Sequence, residues 1–127
     1  MSSPDGVVIV TGAGRGIGRE TVISLLRDHG VPVLALGRNE EHLRQLMSAS
    51  TGMSGALRTL RVELASEEGI PAIVHALDGD RVFGLVNNAG LFMRRAFGEW
   101  TLADLQEVFK VNAHIPFLIV QALYGHF

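Results

Sequence analysis

The sequence TGAGRGIG, residues 11–18, directly follows the apolar, β-branched run Val7–Val10 and leads into a segment with helical spacing. A glycine-rich turn between a strand and a helix presents backbone N–H groups and the positive end of the helix dipole to a phosphate. The sequence does not match the common G-x-G-x-x-G fingerprint, because Ile17 stands where the third glycine would be. Its glycines instead follow the spacing G-x-x-x-G-x-G, at Gly12, Gly16 and Gly18. We predict a phosphate-binding turn made of Gly12, Gly14, Arg15, Gly16, Ile17 and Gly18.

Strand and helix patterns alternate along the rest of the chain. Apolar runs predict four strands, at Val7–Val10, Val31–Leu36, Leu57–Leu64 and Val82–Asn87. Apolar residues at helical spacing predict helices over Gly16–His29, after a cap at Asn39, after a cap at Ser66, and from a capping box at Thr101 and Asp104 past Pro116. Repeated βα units imply one α/β domain with a parallel sheet and right-handed crossovers.

Composition narrows the functional classes. The 127 residues are 47% hydrophobic and 19% charged, which indicates a globular domain. The net charge of -2 argues against a nucleic-acid surface, and no apolar run is long enough to span a membrane. The chain has no cysteine and its five histidines lack ligand spacing, so no metal site is predicted. We expect a cytoplasmic protein without a signal peptide.

Two arginines bear on the identity of the phosphate ligand. An NAD site commonly carries an acidic residue at the end of the second strand, but Gly37 stands there and Arg38 follows it. A guanidinium suits a 2′-phosphate, so Arg15 and Arg38 favour NADP(H) over NAD(H). The alternative is that both arginines are solvated surface charges.

Two further motifs complete a pattern that covers essentially the whole chain. The sequence NNAG, residues 87–90, closes the fourth strand, and Asn112 follows within KVNA. Together with TGxxxGxG, these motifs resemble the short-chain dehydrogenase/reductase family. The resemblance implies a Rossmann-type doubly wound parallel sheet, and hydride transfer between a nicotinamide cofactor and a small-molecule carbonyl or alcohol.

The resemblance also implies roles for residues outside the glycine turn. Asn88, Ala89 and Gly90 would line the ribose side of the cofactor, while Asn87 would tie neighbouring strands. Glu63 and Leu64 stand at the adenine site, where the family usually has aspartate in place of Glu63.

Asn112 would be the asparagine of the family's Asn-Ser-Tyr-Lys tetrad and would order a water in the proton relay. It shares a helical stripe with Leu105, Val108 and Phe109, so we expect its side chain to point inward and to be hydrogen-bonded.

The serine, tyrosine and lysine of that tetrad are absent from these residues. The one tyrosine, Tyr124, has no lysine four positions later. The last helix is apolar nearly all round, which favours burial on more than one side. The resemblance implies that this helix packs on the sheet and pairs with a second subunit in a homo-oligomer. We expect residues 1–127 to be a single NAD(P)-binding domain from the N-terminal part of a longer chain, with a sheet incomplete at its C-terminal side. The alternatives are a non-catalytic NADP(H)-binding protein or interaction module that uses the last helix, and a remnant that binds nothing.

Overall fold

A computed structural model describes residues 5–127 and contains a four-stranded parallel sheet. The strands are β1 (Val7–Val10), β2 (Val33–Gly37), β3 (Leu57–Arg61) and β4 (Val82–Val86). Their order is β3-β2-β1-β4, so the chain moves outward from β1 in one direction and then crosses over to β4. Every residue of β1 and β2 is buried, as expected for central parallel strands that are covered on both faces.

Helices cover both faces of this sheet. The covering helices are α1 (Gly16–Asp28), α2 (Glu40–Ala49), α3 (Gly69–Leu77) and α5 (Ile115–Leu123), while α4 (Leu102–Phe109) contributes to neither apolar cluster. Alternate residues of β1 and β2 point to opposite faces and belong to two separate apolar clusters. One cluster includes Val22, Leu26 and Leu46 of α1 and α2, and the other includes Ile73, Leu77 and Ile119 of α3 and α5. The doubly wound α/β architecture predicted from the sequence is confirmed.

Two predicted helix starts are confirmed in detail. The Oδ1 atom of Asn39 accepts a hydrogen bond from the His42 N–H at 2.9 Å and caps α2. At α4, the Asp104 N–H donates to Thr101 Oγ1 at 3.1 Å, and the Thr101 N–H donates to the Asp104 carboxylate at 3.2 Å. This reciprocal pair is the predicted capping box.

The strands have different ends from those predicted. β2 begins two residues late, after Pro32, which has no N–H to give to a ladder. β3 ends at Arg61 rather than Leu64, because its partner β2 ends opposite it at Gly37. β4 ends at Val86, one residue before the predicted boundary at Asn87. The helix α1 likewise ends at Asp28, one residue early.

The predicted cap at Ser66 is wrong. The Ser66 hydroxyl donates to the Glu63 carbonyl at 2.8 Å and closes a turn instead. The helix α3 begins only at Gly69, and Glu68 precedes it without a capping hydrogen bond from its side chain. A side chain at Gly69 would collide with the Glu63 carbonyl, so this close approach marks where the turn gives way to the helix.

The expectation of an inward-facing stripe on the fourth helix is also wrong. Within residues 5–127, α4 buries no residue, and Leu105 and Phe109 are exposed. The reason is topological: β4 pairs only with β1 in this part of the chain, so no further layer covers α4. A π-helical turn, Lys110–His114, connects α4 to α5 and carries the chain past Pro116. In the described residues, no helix has the length and apolar character needed to cross a bilayer.

Candidate functional site

The glycine turn lies at the carboxyl end of β1, where the chain bends sharply into α1. Gly12 has a φ of +63°, a conformation that favours glycine, and a Cβ there would lie 2.9 Å from the Ala89 Cα atom. A Cβ on Gly18 would collide with the Gly12 carbonyl and the Asn88 amide. The absence of these side chains lets α1, the turn and the segment after β4 meet closely.

The start of α1 is open to a ligand. Gly16 has a φ of +58°, and a Cβ there would meet no atom within 4 Å. Within the described chain, no side chain of α1 caps its first turn and that turn carries no acidic residue, whereas Asn39 and Thr101 cap α2 and α4. The first N–H groups of a helix have no acceptor in the helix itself. Those of α1 are therefore free to bind an anion.

Thr11 is the one buried polar residue among the described residues, with 1% of its surface exposed. Its Oγ1 accepts hydrogen bonds from the N–H groups of Asn88, at 3.0 Å, and Ala89, at 2.9 Å, and donates to the Val86 carbonyl at 3.4 Å. The sequence motifs alone assign Thr11 no role of its own. The signal was present, because a threonine ends an otherwise apolar strand directly before the glycines.

Asn88, rather than Asn87, ties β1 to β4. Its Nδ2 donates to the carbonyls of Thr11, at 3.1 Å, and Gly12, at 3.0 Å. The Asn87 side chain is exposed, and within residues 5–127 no hydrogen bond joins it to a neighbouring strand. Among the described residues, the anchor of the glycine turn is therefore Asn88, and the role predicted for Asn87 stays a prediction.

The ends of β2 and β3 bring Arg38 and Glu63 together. Arg38 Nη1 lies 3.7 Å from Glu63 Oε2, and both side chains are largely exposed. A Cβ on Gly37 would lie 3.1 Å from Leu43 Cδ2, so little room exists there for an acidic side chain. The site thus presents a guanidinium directly after Gly37, which stands where an NAD site commonly carries a carboxylate.

Asn112 lies in the π-helical turn and holds the chain that follows NNAG. Its Oδ1 accepts from the Leu91 N–H at 2.7 Å, and its Nδ2 donates to the Leu91 carbonyl at 2.8 Å. A Cβ on Gly90 would lie 3.3 Å from that Oδ1. The amide is hydrogen-bonded as expected, but residue 112 is exposed, so its predicted inward burial is wrong.

The remaining predicted site residues lie near the glycine turn and the ends of β2 and β3, but they do not form one cluster. The Arg15 and Ile17 side chains are exposed and border a groove of about 920 Å³ between α1 and α2. A Cβ on Gly14 would meet His42 at 3.1 Å, so this glycine packs on α2. The Leu64 side chain packs against the apolar core. In residues 5–127, no group of three or more histidine or acidic side chains is arranged to hold a metal ion.

Comparison with known proteins gives a consistent result. A family model described as short chain dehydrogenase matches residues 6–127. The chain is 33% identical over 122 residues to L-xylulose reductase from Caenorhabditis elegans, covering 94% of this chain and 47% of that protein. It is 34% identical over 125 residues to the oxidoreductase YciK of Escherichia coli K12, covering 94% and 49%.

Solved structures agree with this match. The RhlG/NADP active-site complex from Pseudomonas aeruginosa superimposes with a TM-score of 0.85 at 27% identity, covering 95% of this chain and 47% of that chain. The chain therefore spans about half the length of the relatives that it matches.

Proposed function

The chain belongs to the short-chain dehydrogenase/reductase family, and on that basis we propose that it forms the NADP(H)-binding part of an oxidoreductase. The reaction proposed for the whole protein is hydride transfer to or from a carbonyl or alcohol group of a small-molecule substrate. Two of the relatives, L-xylulose reductase and the NADP complex of RhlG, bear names that fit this chemistry.

The observation that carries the proposal is the uncapped start of α1 behind a glycine turn. A dinucleotide has a pyrophosphate that needs several N–H donors, and the first turn of α1 has them free. The open space at Gly16 lets an anion approach the backbone without displacing a side chain. Residues 88–90, which are anchored on Thr11, lie beside this turn and would support the ribose.

The preference for NADP(H) is supported by charge at the end of β2. The Arg38 side chain is exposed and reaches the space beyond Gly37, where the adenosine ribose of a dinucleotide would lie. A guanidinium donates to phosphate oxygens in a fixed fork, and these charge-assisted bonds are stronger than bonds to a hydroxyl. Arg15 adds a second exposed positive charge in the glycine turn.

We assign Asn112 a positioning role in the chemical step. The bound nicotinamide would supply or accept the hydride. Asn112 fixes the π-helical turn to the Leu91 backbone through both atoms of its amide, and from this turn it would order a water of the proton relay. Because the relatives are about twice as long, the serine, tyrosine and lysine of the tetrad are assigned to sequence beyond residue 127.

Cofactor binding by the intact protein tests the proposal, with NADPH and NADH titrated separately by fluorescence. Arg38→Ala should weaken NADPH binding about tenfold or more, because charge-assisted hydrogen bonds contribute about 1.5–3 kcal/mol. The affinity for NADH should change by less than about twofold, since it lacks the 2′-phosphate.

Arg44→Ala is the matched control, because Arg44 is an exposed arginine on α2 that pairs with Glu41. It should leave both affinities unchanged. The absence of saturable binding would reject the cofactor assignment. Equal losses for NADPH and NADH in Arg38→Ala would reject the role of Arg38. Consumption of NADPH with a panel of ketones and aldehydes then tests hydride transfer.

A further inference from the structure

We propose that Glu63 is a specificity-determining residue of the cofactor site: its carboxylate competes with the 2′-phosphate of NADP(H) for the Arg38 guanidinium. Glu63 thereby lowers the preference for NADP(H) over NAD(H) that Arg38 creates. The inference rests on the proposed function, because it requires the 2′-phosphate to bind at Arg38.

The geometry places Glu63 where it can compete. Its Oε2 atom lies 3.7 Å from Arg38 Nη1, and its Oε1 accepts from the Ala65 N–H at 3.4 Å. The Glu63 carbonyl accepts from the Ser66 hydroxyl at 2.8 Å, which fixes the turn that carries the side chain.

The backbone of Arg38 is fixed in a similar way. Its carbonyl accepts from Arg61 Nε at 3.2 Å. In the neighbouring ladder, the Val62 N–H donates to the Gly37 carbonyl at 2.8 Å. These bonds hold the ends of β2 and β3 side by side. The side chains of Arg38 and Glu63 therefore lie close to each other beyond the two strand ends.

The pair is weak enough for a phosphate to displace. The Arg38 and Glu63 side chains are 70% and 52% exposed, and exposed ion pairs change an equilibrium by about fivefold at most. A 2′-phosphate carries more charge than one carboxylate and fits the guanidinium fork. When it binds, however, it must break the pair and displace the Glu63 carboxylate from the guanidinium.

NADH does not meet this opposition. Its 2′-hydroxyl is neutral, so the Arg38–Glu63 pair can stay intact while it binds. Glu63 therefore lowers the affinity for NADPH more than it lowers the affinity for NADH. One extra methylene relative to aspartate gives the carboxylate additional reach toward Arg38, so the competition depends on this chain's own residue at position 63.

The test is the ratio of the dissociation constants for NADH and NADPH, measured on the intact protein by fluorescence titration. Glu63→Gln keeps the length of the side chain and removes its charge. We expect the ratio to rise about two- to fivefold, the range given by an exposed charge pair. Any contact of residue 63 with the adenine affects both cofactors and cancels in the ratio.

Two further variants make the result decisive. Glu67→Gln removes an exposed acid four residues away and should leave the ratio unchanged. In an Arg38→Ala background, Glu63→Gln should raise the ratio by much less than in the wild type.

The proposal is overturned if Glu63→Gln leaves the ratio unchanged, if Glu67→Gln raises it equally, or if the full rise persists without Arg38. The last result would show direct repulsion of the phosphate rather than competition for Arg38. Wild-type protein that binds no NADPH would overturn the proposed function as well, and so is distinguishable from a failure of the Glu63 proposal alone.

Discussion

At the scale of single residues, Thr11 links the glycine turn to the chain that follows β4. A hydroxyl group has one hydrogen and two lone pairs, and Thr11 uses all three, with Val86, Asn88 and Ala89 as partners. Valine has nearly the same shape as threonine but no hydroxyl, so it could make none of these three bonds. The candidate site therefore depends on a residue that itself need not touch a cofactor.

Replacing Thr11 with valine should lower the free energy of unfolding by about 1–3 kcal/mol, because it leaves the Asn88 and Ala89 N–H groups without their acceptor. Equilibrium unfolding in urea measures this change. Thr59→Val is the matched control, since Thr59 is a half-buried strand residue without a side-chain hydrogen bond among the described residues. It should change stability by less than about 0.5 kcal/mol. Equal effects of the two substitutions would contradict the role of Thr11.

The sequence predicts some residue roles better than others, for physical reasons. Gly12 and Gly18 were predictable because a sharp turn and a close helix contact both exclude a side chain. The choice between Asn87 and Asn88 was not predictable. Successive side chains in an extended segment point in opposite directions, so a shift of one residue exchanges the two. The hydrogen bonds to Thr11 and Gly12 determine which asparagine faces β1.

At the scale of whole elements, local capping signals predicted helix starts only where the cap faces no competing acceptor. Asn39 and Thr101 each bond to the N–H group three residues ahead, within their own helices. Ser66 instead donates to the Glu63 carbonyl three residues behind it, and α3 starts later. Serine side chains often make such local turns, and the sequence alone does not say which bond is made.

The capping box of α4 also gives a pH-dependent stability. The hydrogen bond from the Thr101 backbone, together with the nearby Arg95 guanidinium, lowers the pKa of Asp104 below its ordinary value of 3.8. A carboxyl group with a lowered pKa stabilises the folded state above its unfolded pKa, and this contribution is lost as the pH falls through the folded pKa. Asp104→Asn should therefore be less stable than wild type at neutral pH.

The stability difference between Asp104→Asn and wild type should shrink as the pH falls below about 4, where Asp104 becomes protonated. Thermal or urea unfolding at neutral and acid pH measures it. Glu107→Gln, an exposed acid on the same helix, provides the control for general charge effects. A difference that stays constant from neutral to acid pH would contradict the role of the ionised carboxylate.

At the scale of the whole molecule, the parallel, doubly wound sheet was predictable from the alternation of strands and helices. The surroundings of the fourth helix were not. The spacing of Leu105, Val108 and Phe109 indicates an apolar stripe without saying what packs on it. Phe83 on β4 is 60% exposed. In residues 5–127, β4 has a partner strand on one side only. Exposed apolar surface of this kind marks a place where another segment of the protein or another molecule packs.

The last helix is where we expect a second copy of the protein to bind. The inner face of α5 is buried, through Ile115, Ile119 and Leu123, whereas Phe117 on its outer face is 67% exposed. Phe117→Lys should weaken self-association of the intact protein about tenfold or more, because burying a phenylalanine contributes about 1.5–3 kcal/mol and lysine reverses that gain. Sedimentation equilibrium measures the dissociation constant.

Phe97→Lys is the control for this surface, since Phe97 is a fully exposed phenylalanine in the loop before α4 and lies off the α5 face. It should leave the association unchanged, while NADPH titration reports whether each variant keeps its fold. Equal association of wild type and Phe117→Lys would show that the outer face of α5 does not pair with another copy. Because Phe117 lies on the opposite side of α5 from the buried sheet contacts, loss of pairing without loss of NADPH binding would separate assembly from the cofactor site.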